Sequence, residues 1–273
     1  MASLREIKTR IGSVRSTLKI TSAMKLVASA KLHKAQSAIE NMLPYQRTLQ
    51  EIVGCTGGAS LETAELRDDA RTAVVALSSN SSLCGGFNAN AIRKTLSVLS
   101  ETERPEIYAV GHKMSDALKA AGCDVGRDFS DLVARPSYAS AAALADLLVE
   151  KYVSGAIDKV ILVYNHFVST SHQEAVSEVF LPFATSSQAD GDGYLFEPSR
   201  EEIAREVLPQ MLQVKMYTVI LDSVASEHAA RTVAMQTASD NAEDLLSELT
   251  LEYNKRRQEK ITSELLDIVG GSQ

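Results

Sequence analysis

Apolar residues at the two ends of the chain follow the spacing of long amphipathic helices. Near the N-terminus they recur at alternating steps of three and four, as in a coiled-coil seam, and then give way to smaller or more polar residues. The seam comprises Leu4, Ile7, Ile11, Val14, Leu18, Thr21, Met24 and Ala28. The predicted helices cover about residues 2–53 and 210–269 and would be roughly 75–90 Å long. A lone helix of that length would expose its apolar stripe, so we expect the two ends to pair as an antiparallel rod.

The C-terminal helix has a matching seam of mostly small residues. Its members are Ala234, Ala238, Ala242, Leu245 and Leu249. We expect Leu18 to lie level with Ala238, a register that places Met24 close to Arg231. The helix then continues alone beyond about residue 253, because no partner residues remain. Its apolar tip is expected to comprise Leu265, Leu266, Ile268 and Val269.

Between the terminal helices, short continuous apolar runs alternate with helical segments, the pattern of buried strands in a mostly parallel sheet. The predicted strands are 72–77, 106–111, 158–167 and 177–183. The fold class is therefore α/β plus a long antiparallel coiled coil: the N- and C-terminal helices form the rod, and the centre is a Rossmann-like domain. The predicted segments are 1–57, 70–187 and 199–273. Pro44 is expected to kink or unwind the first helix, and Pro209 to mark a joint before the last.

Composition narrows the class of partner. The 273 residues are 45% hydrophobic, enough for one or two domains, and the net charge of -7 argues against nucleic-acid binding. Residues 1–34 nevertheless carry eight Lys or Arg against one acid, which suggests an acidic partner surface, although a solvated helix face explains any single lysine. Three scattered cysteines argue against a disulfide framework or a zinc site and favour a cytosolic compartment. No apolar run is long enough to span a membrane.

Candidate catalytic groups are weak. LCGGFN (83–88) follows the first predicted strand, as a nucleotide loop would, but fits neither GxGxxG nor GxxxxGK[ST], so a tight structural turn is favoured. Cys84 lacks an identifiable base and suits a small buried residue as well as a nucleophile. His166 and His172 make a poor metal pair without an acidic partner. We therefore predict no catalytic, cofactor or metal site.

A basic cluster lies near the C-terminus, where Lys255, Arg256, Arg257 and Lys260 are distributed around the helix. From periodicity alone a solvated helix end is favoured. The alternative is a contact collar that grips a surrounding surface through hydrogen bonds to carboxylates and carbonyls.

Four segments match the motifs of one family in the same order. They are 4–32, LCGGFNAN (83–90), 225–258 and ITSELLDIVG (261–270). These segments resemble the gamma subunit of the rotary F-type ATP synthases, and the resemblance extends over essentially the whole chain. It implies a non-catalytic subunit of a proton-translocating complex.

The resemblance also implies partners and a location. The coiled coil would be the central shaft inside a ring of three alpha and three beta subunits, and the α/β lobe would meet the epsilon subunit and the membrane c ring. Ion flow turns such a shaft, which forces the catalytic subunits through their nucleotide states. The lack of a convincing presequence favours a bacterial protein, peripheral on the cytoplasmic face of the inner membrane.

Six positions match rotor–stator contacts of that family. They are Met24, Arg231, Arg257, Gln258, Thr262 and Glu264. Met24 matches a methionine of the upper shaft, and Arg257 and Gln258 match a pair that contacts a catch loop of one beta subunit. The other three match shaft positions coupled to efficiency.

Two other functions compete with the rotor. One is a soluble α/β enzyme with dimerising helical arms, in which residues 70–187 alone bind a nucleotide or substrate. The other is a static coiled-coil tether, which predicts symmetry and no strict need for the terminal motifs. Assembly of an ATPase with alpha and beta subunits would distinguish the rotor from both.

Overall fold

A computed structural model describes residues 3–56, 71–183 and 195–270, with side chains as far as residue 266. The long helices are α1 (Leu4–Cys55) and α6 (Arg200–Gly270). The shorter helices are α2 (Phe87–Ser100), α3 (His112–Ala120), α4 (Asp131–Ala134) and α5 (Tyr138–Val153). The strands are β1 (Arg71–Leu77), β2 (Pro105–Val110), β3 (Val125–Asp128), β4 (Ile157–Phe167) and β5 (Gln173–Leu181).

The described strands form one sheet in the order β3-β2-β1-β4-β5. Neighbouring strands run parallel except β4 and β5, which form an antiparallel hairpin. The prediction of a Rossmann-like, mostly parallel sheet between two long terminal helices is thereby confirmed. The sequence analysis missed β3, whose residues VGRD contain one aliphatic side chain and so lack the apolar run expected of a buried strand.

Alternate side chains of the strands enter two separate cores, because successive residues of a strand point to opposite faces. On one face, Val75 and Leu162 pack with buried residues of α1, α5 and α6. On the other, Ala76 and Ala109 pack with α2 and α3. Helices therefore cover both faces of the sheet, which explains why its central strands are continuous apolar runs.

Contacts divide the chain into two compact units. Unit 1 comprises residues 1–28 and 231–273, and unit 2 comprises residues 29–230. In unit 1 the helices run antiparallel, since the Thr21 and Ser239 hydroxyls are 2.8 Å apart and Lys25 donates to Gln236 at 2.8 Å. The three segments predicted from the sequence follow the chain instead, so that division stays a prediction.

The register of the antiparallel pair differs from the predicted one. Ser239 lies beside Thr21, so Ala238 is about one helical turn away from the level of Leu18. The α1 seam lies where it was expected, and four of the five predicted α6 seam residues are buried or half-buried, the exception being the exposed Leu245. The buried or half-buried residues of α6 between 231 and 256 are Arg231, Thr232, Ala234, Met235, Ala238, Ser239, Ala242, Leu246, Leu249, Glu252, Tyr253 and Arg256. The error therefore lies in the level at which the two helices pair, because small alanine side chains fit a seam at several registers.

The two prolines that were expected to interrupt helices, Pro44 and Pro209, both lie inside continuous helices. Pro209 does not form the expected joint, because α6 runs through it from Arg200 to Gly270. An internal proline disfavours a helix by about 3 kcal/mol. On either side of it, Leu208 and Met211 are fully buried in the unit 2 core, and this packing holds the helix together. Helix α1 likewise continues through Pro44.

Candidate functional site

The glycine loop after β1 lies at the carboxyl ends of the parallel strands, where α/β proteins commonly bind ligands. Its polar groups bond to one another. The Asn88 side chain accepts a hydrogen bond from the Ser79 amide at 3.0 Å and donates to the Ser79 hydroxyl at 2.8 Å and the Cys84 sulfur at 3.2 Å. This network favours the structural-turn interpretation, because the polar side chains of the loop are bonded to one another and hold its shape.

At the N-terminus of α3, as in the glycine loop, polar groups are bonded within the protein. Gly111 has a φ of +116°, and a Cβ there would lie 2.4 Å from the carbonyl oxygen of Ser78. The Ser78 hydroxyl in turn accepts a hydrogen bond from the Met114 amide at 2.8 Å. A helix N-terminus binds anions through its free amides. Here one of those amides is bonded to a side chain from the end of β1.

Neither Cys84 nor the histidine pair gains catalytic geometry. Cys84 is buried, and the hydrogen bonds of its sulfur involve Asn88, Ser79 and the Ser81 carbonyl rather than a histidine. His166 contacts Asp222, with 2.6 Å between Nδ1 and Oδ2. Within the described ranges 3–56, 71–183 and 195–270, no cluster of three or more His, Cys, Asp or Glu could hold a metal ion.

The predicted contact residues lie instead along the helices of unit 1. Met24 is half-buried. Its neighbour Lys25 donates a hydrogen bond to Gln236, so Met24 lies beside the part of α6 near residue 236 and about one helical turn away from Arg231, which was expected beside it. Arg231 is 8% exposed, so it belongs to the buried seam rather than to an open surface.

Beyond the paired region, α6 presents only exposed side chains. From Arg257 to Leu266 every residue is exposed, whereas Arg256 is half-buried and pairs with Glu252 at 2.8 Å. Arg257, Gln258 and Thr262 therefore point into solvent in this chain. Helix tips of this kind leave both polar and apolar groups available to a partner.

Glu264, the last predicted contact residue, pairs with Lys260 across one helical turn at 3.5 Å. Both side chains are more than 60% exposed, so this pair contributes little to stability and can be exchanged for a contact with a partner. The apolar residues Ile261, Leu265 and Leu266 are 47%, 57% and 66% exposed. Ile268 and Val269, the other two residues of the predicted tip, lie outside the described side chains.

The six predicted residues do not converge on one point. Arg231 and Arg257 are 26 residues apart on one helix (257 − 231), roughly 39 Å along its axis. Arg231 lies in the buried seam and Arg257 on the exposed end of the helix, so the six residues are distributed along an elongated helix pair and do not form a catalytic pocket. Catalytic groups must meet within hydrogen-bond reach of a reacting atom.

Sequence reasoning overlooked an exposed apolar strip on α1. Ile20, Leu26 and Val27 are 59%, 68% and 58% exposed, although they lie within a well-formed helix pair. Their spacing placed them off the seam, and that was the available signal. Large apolar residues off a coiled-coil seam indicate a second surface to be covered.

Comparison with known proteins decides the family. The family model described as ATP synthase matches residues 3–273. The ATP synthase gamma chain of Phocaeicola vulgatus is 51% identical over 100% of this chain and 99% of the relative, and that of Bacteroides fragilis is 50% identical over the same shares. The chain belongs to the ATP synthase gamma chain family. Since these relatives are bacterial, the chain is of the bacterial type, and it is a non-catalytic subunit of an ATP synthase.

Solved structures share the fold at lower identity. A chain of the Euglena gracilis mitochondrial ATP synthase, in an OSCP/F1/c-ring assembly, matches with a TM-score of 0.70 at 20% identity, over 98% of this chain and 93% of that one. A chain of the Tetrahymena thermophila central stalk and c-ring structure matches with a TM-score of 0.60 at 24% identity, over 81% and 99%. Among the described residues, no helix is both long and apolar enough to cross a membrane.

Proposed function

We propose that this chain is the central-stalk rotor of a bacterial F-type ATP synthase. It couples ion-driven rotation of the membrane c ring to ATP synthesis or hydrolysis in the hexamer of alpha and beta subunits. The observation that carries this proposal is the full-length relationship to bacterial ATP synthase gamma chains. The antiparallel helices of unit 1, with an exposed helical end beyond Arg256, support it physically.

The partners divide between the two parts of the chain. The paired helices and the exposed end of α6 contact the alpha and beta subunits, while the sheet-bearing segment meets the epsilon subunit and the c ring. The complex holds the chain peripherally at the cytoplasmic face of the inner membrane. In this division residues 1–57 and 199–273 form the shaft, and residues 70–187 form the α/β lobe.

Contact with the stator occurs at two levels of the shaft. The first level, at the end of α6, comprises Arg257, Gln258, Thr262 and Glu264, whose side chains are exposed and polar. Arg257 and Gln258 can donate and accept geometrically defined hydrogen bonds with a loop of one beta subunit. The second level lies around Met24 and Arg231, where the adaptable methionine side chain is next to the exposed strip at Ile20 and Val27.

Replacement of Arg257 and Gln258 together by Ala tests the contact at the first level. In a complex reconstituted with alpha and beta subunits, we expect slower ATP turnover with assembly retained. Removal of charged hydrogen bonds weakens the contact by about 1–3 kcal/mol. The matched control replaces Asn254 and Lys255 by Ala, which also removes one amide and one cation from exposed positions of the same helix.

Two results would contradict the proposal at different levels. Normal steady-state ATPase of the Arg257 and Gln258 variant would refute the contact at these residues. A wild-type chain that gives no ATP-driven ion pumping, when reconstituted with all its partners in vesicles, would refute the rotor function itself.

A further inference from the structure

Two charged residues of α6 face the β4–β5 hairpin within unit 2. Lys215 and Asp222 are seven residues apart, so they lie on one side of the helix, roughly 10 Å apart along its axis. Nζ of Lys215 is 2.6 Å from Oε1 of Glu178 on β5. The other oxygen of Glu178 accepts a hydrogen bond from the Tyr164 hydroxyl at 3.2 Å.

Asp222 binds the end of β4 with both carboxylate oxygens. Oδ2 lies 2.6 Å from Nδ1 of His166, and Oδ1 accepts a hydrogen bond from the backbone amide of Phe167 at 2.9 Å. Burial raises the pKa of Asp222, while the contacts with His166 and Phe167 lower it in part. The α6 side chains of the two pairs, Asp222 and Lys215, are only 15% and 18% exposed, whereas their strand partners His166 and Glu178 are 52% and 39% exposed. Each contact is therefore shielded on its helix side and open to water on its strand side.

These contacts differ in kind from the packing around them. The neighbouring α6 residues that meet the core are aliphatic, among them Leu212, Val219 and Val224. Apolar burial is non-directional, so it holds a helix against a sheet without defining one rotational setting. Charged hydrogen bonds depend on distance and angle and are weakened by a small slip of the helix.

We infer that Glu178–Lys215 and His166–Asp222 form a clasp that fixes the axial and rotational position of α6 on the sheet. The inference rests on the proposed rotor function, in which rotation enters through the sheet-bearing segment and leaves along the helix. The four residues are positioning residues. Because the clasp grips α6 at two levels, torque on the sheet turns the helix instead of slipping past it.

Charge reversal with rescue tests the clasp. Lys215→Glu places two carboxylates against each other, and Glu178→Lys added to it restores an ion pair with its ends exchanged. In the reconstituted complex, we expect Lys215→Glu to lower the number of ions pumped per ATP hydrolysed, and the double variant to recover part of it. The control is Lys119→Glu, the same charge change at an exposed position of unit 2.

Hydrogen exchange reports on the clasp independently of rotation. In Lys215→Glu, amides of residues 164–181 should exchange at least about tenfold faster, the factor that about 1.4 kcal/mol of lost local stability produces. Asp222→Asn, which keeps the shape of the side chain, should speed exchange of the Phe167 amide. This milder variant provides the test if Lys215→Glu does not assemble.

The outcomes separate the clasp from the rotor function. Wild-type pumping and wild-type exchange in both Lys215→Glu and Asp222→Asn would overturn the clasp. A loss in Lys215→Glu that the exchanged pair leaves unrepaired would also overturn it, because the loss would then not come from the pair. If the wild-type complex hydrolyses ATP without pumping, the rotor function fails, and the exchange rates still decide whether the clasp holds α6.

Discussion

A disulfide across the seam of unit 1 should form at Thr21 and Ser239. Their hydroxyl oxygens are 2.8 Å apart, and both residues are buried between the helices. A disulfide needs Cβ atoms about 3.5–4.5 Å apart and sulfurs about 2.0 Å apart. Hydroxyl oxygens in contact occupy the positions that the two sulfurs would take, so we expect the pair to reach that geometry. Thr21→Cys combined with Ser239→Cys should therefore oxidise readily in the full-length chain.

The magnitude follows from the length of chain that the bond closes. The two residues are 218 positions apart, and chain-entropy theory gives a stabilisation of about 5 kcal/mol for a loop of this size. This value is an upper limit, since strain in the folded state subtracts from it. Because the chain has two compact units, the stabilisation should appear as slower hydrogen exchange in residues 3–28 and 231–256, and not as one global transition.

The assay compares two cysteine pairs under the same mild oxidant. Cys123 is replaced by Ser first, because it is the most accessible native thiol, while Cys55 and Cys84 are buried. Mobility on a non-reducing gel then measures cross-linking of the 21/239 pair against a pair at 18/238. Faster linking of 18/238 would refute the register, and unchanged exchange after oxidation of 21/239 would refute the entropic stabilisation.

Three further changes should have graded effects. Gly111→Ala should destabilise unit 2 by about 3 kcal/mol or more, because its Cβ would meet a carbonyl at 2.4 Å, whereas Gly122→Ala meets open space and should lose only about 1–2 kcal/mol in denaturant unfolding. Equal losses would contradict this. Burial acts to raise the pKa of Glu106, but hydrogen bonds and charge, chiefly from Lys151, lower it overall. The stability that ionised Glu106 contributes is therefore fully present above its ordinary pKa of 4.5. That stability is lost as the pH falls through the lower pKa of the folded state. Glu106→Gln should therefore flatten the acid decline in stability, and an unchanged acid profile would exclude this pair as its cause. Met24→Lys should lower the number of ions pumped per ATP while changing the stability of the chain little, because a new ion pair formed in one rotary state stabilises that state over the others. Unchanged pumping per ATP at several temperatures would refute the role of Met24.

The terminal helices and the central sheet could be predicted because their signals are periodic. The α1 seam follows the three-four spacing without interruption from Leu4 to Thr21, and the buried strands are largely unbroken aliphatic runs. Alternation of such runs with helical segments also indicated a mostly parallel sheet, which the order β3-β2-β1-β4-β5 bears out. These features depend on local patterns that do not require knowledge of the partner element.

The register and the polar contacts across elements could not be predicted in the same way. Thr21 and Ser239 are ordinary helix residues until the other helix is placed beside them, and a run of alanines allows several registers of similar energy. Asp222 and His166 are 56 positions apart and have no shared motif. The contact residues at 257 and 258 came from family resemblance, since their exposure alone also fits a solvated helix end.

The pairing of Thr21 with Ser239 also constrains how the chain is made. During synthesis the N-terminal helix leaves the ribosome long before its partner exists. At about 5–20 residues per second, the intervening 218 residues take roughly 10–45 s. Throughout that delay the apolar seam of residues 4–28 lacks the partner helix whose packing supplies most of its stability. We expect the basic residues concentrated in the first 34 positions to matter at this stage, because their mutual repulsion would keep nascent chains apart until the C-terminal helix is released.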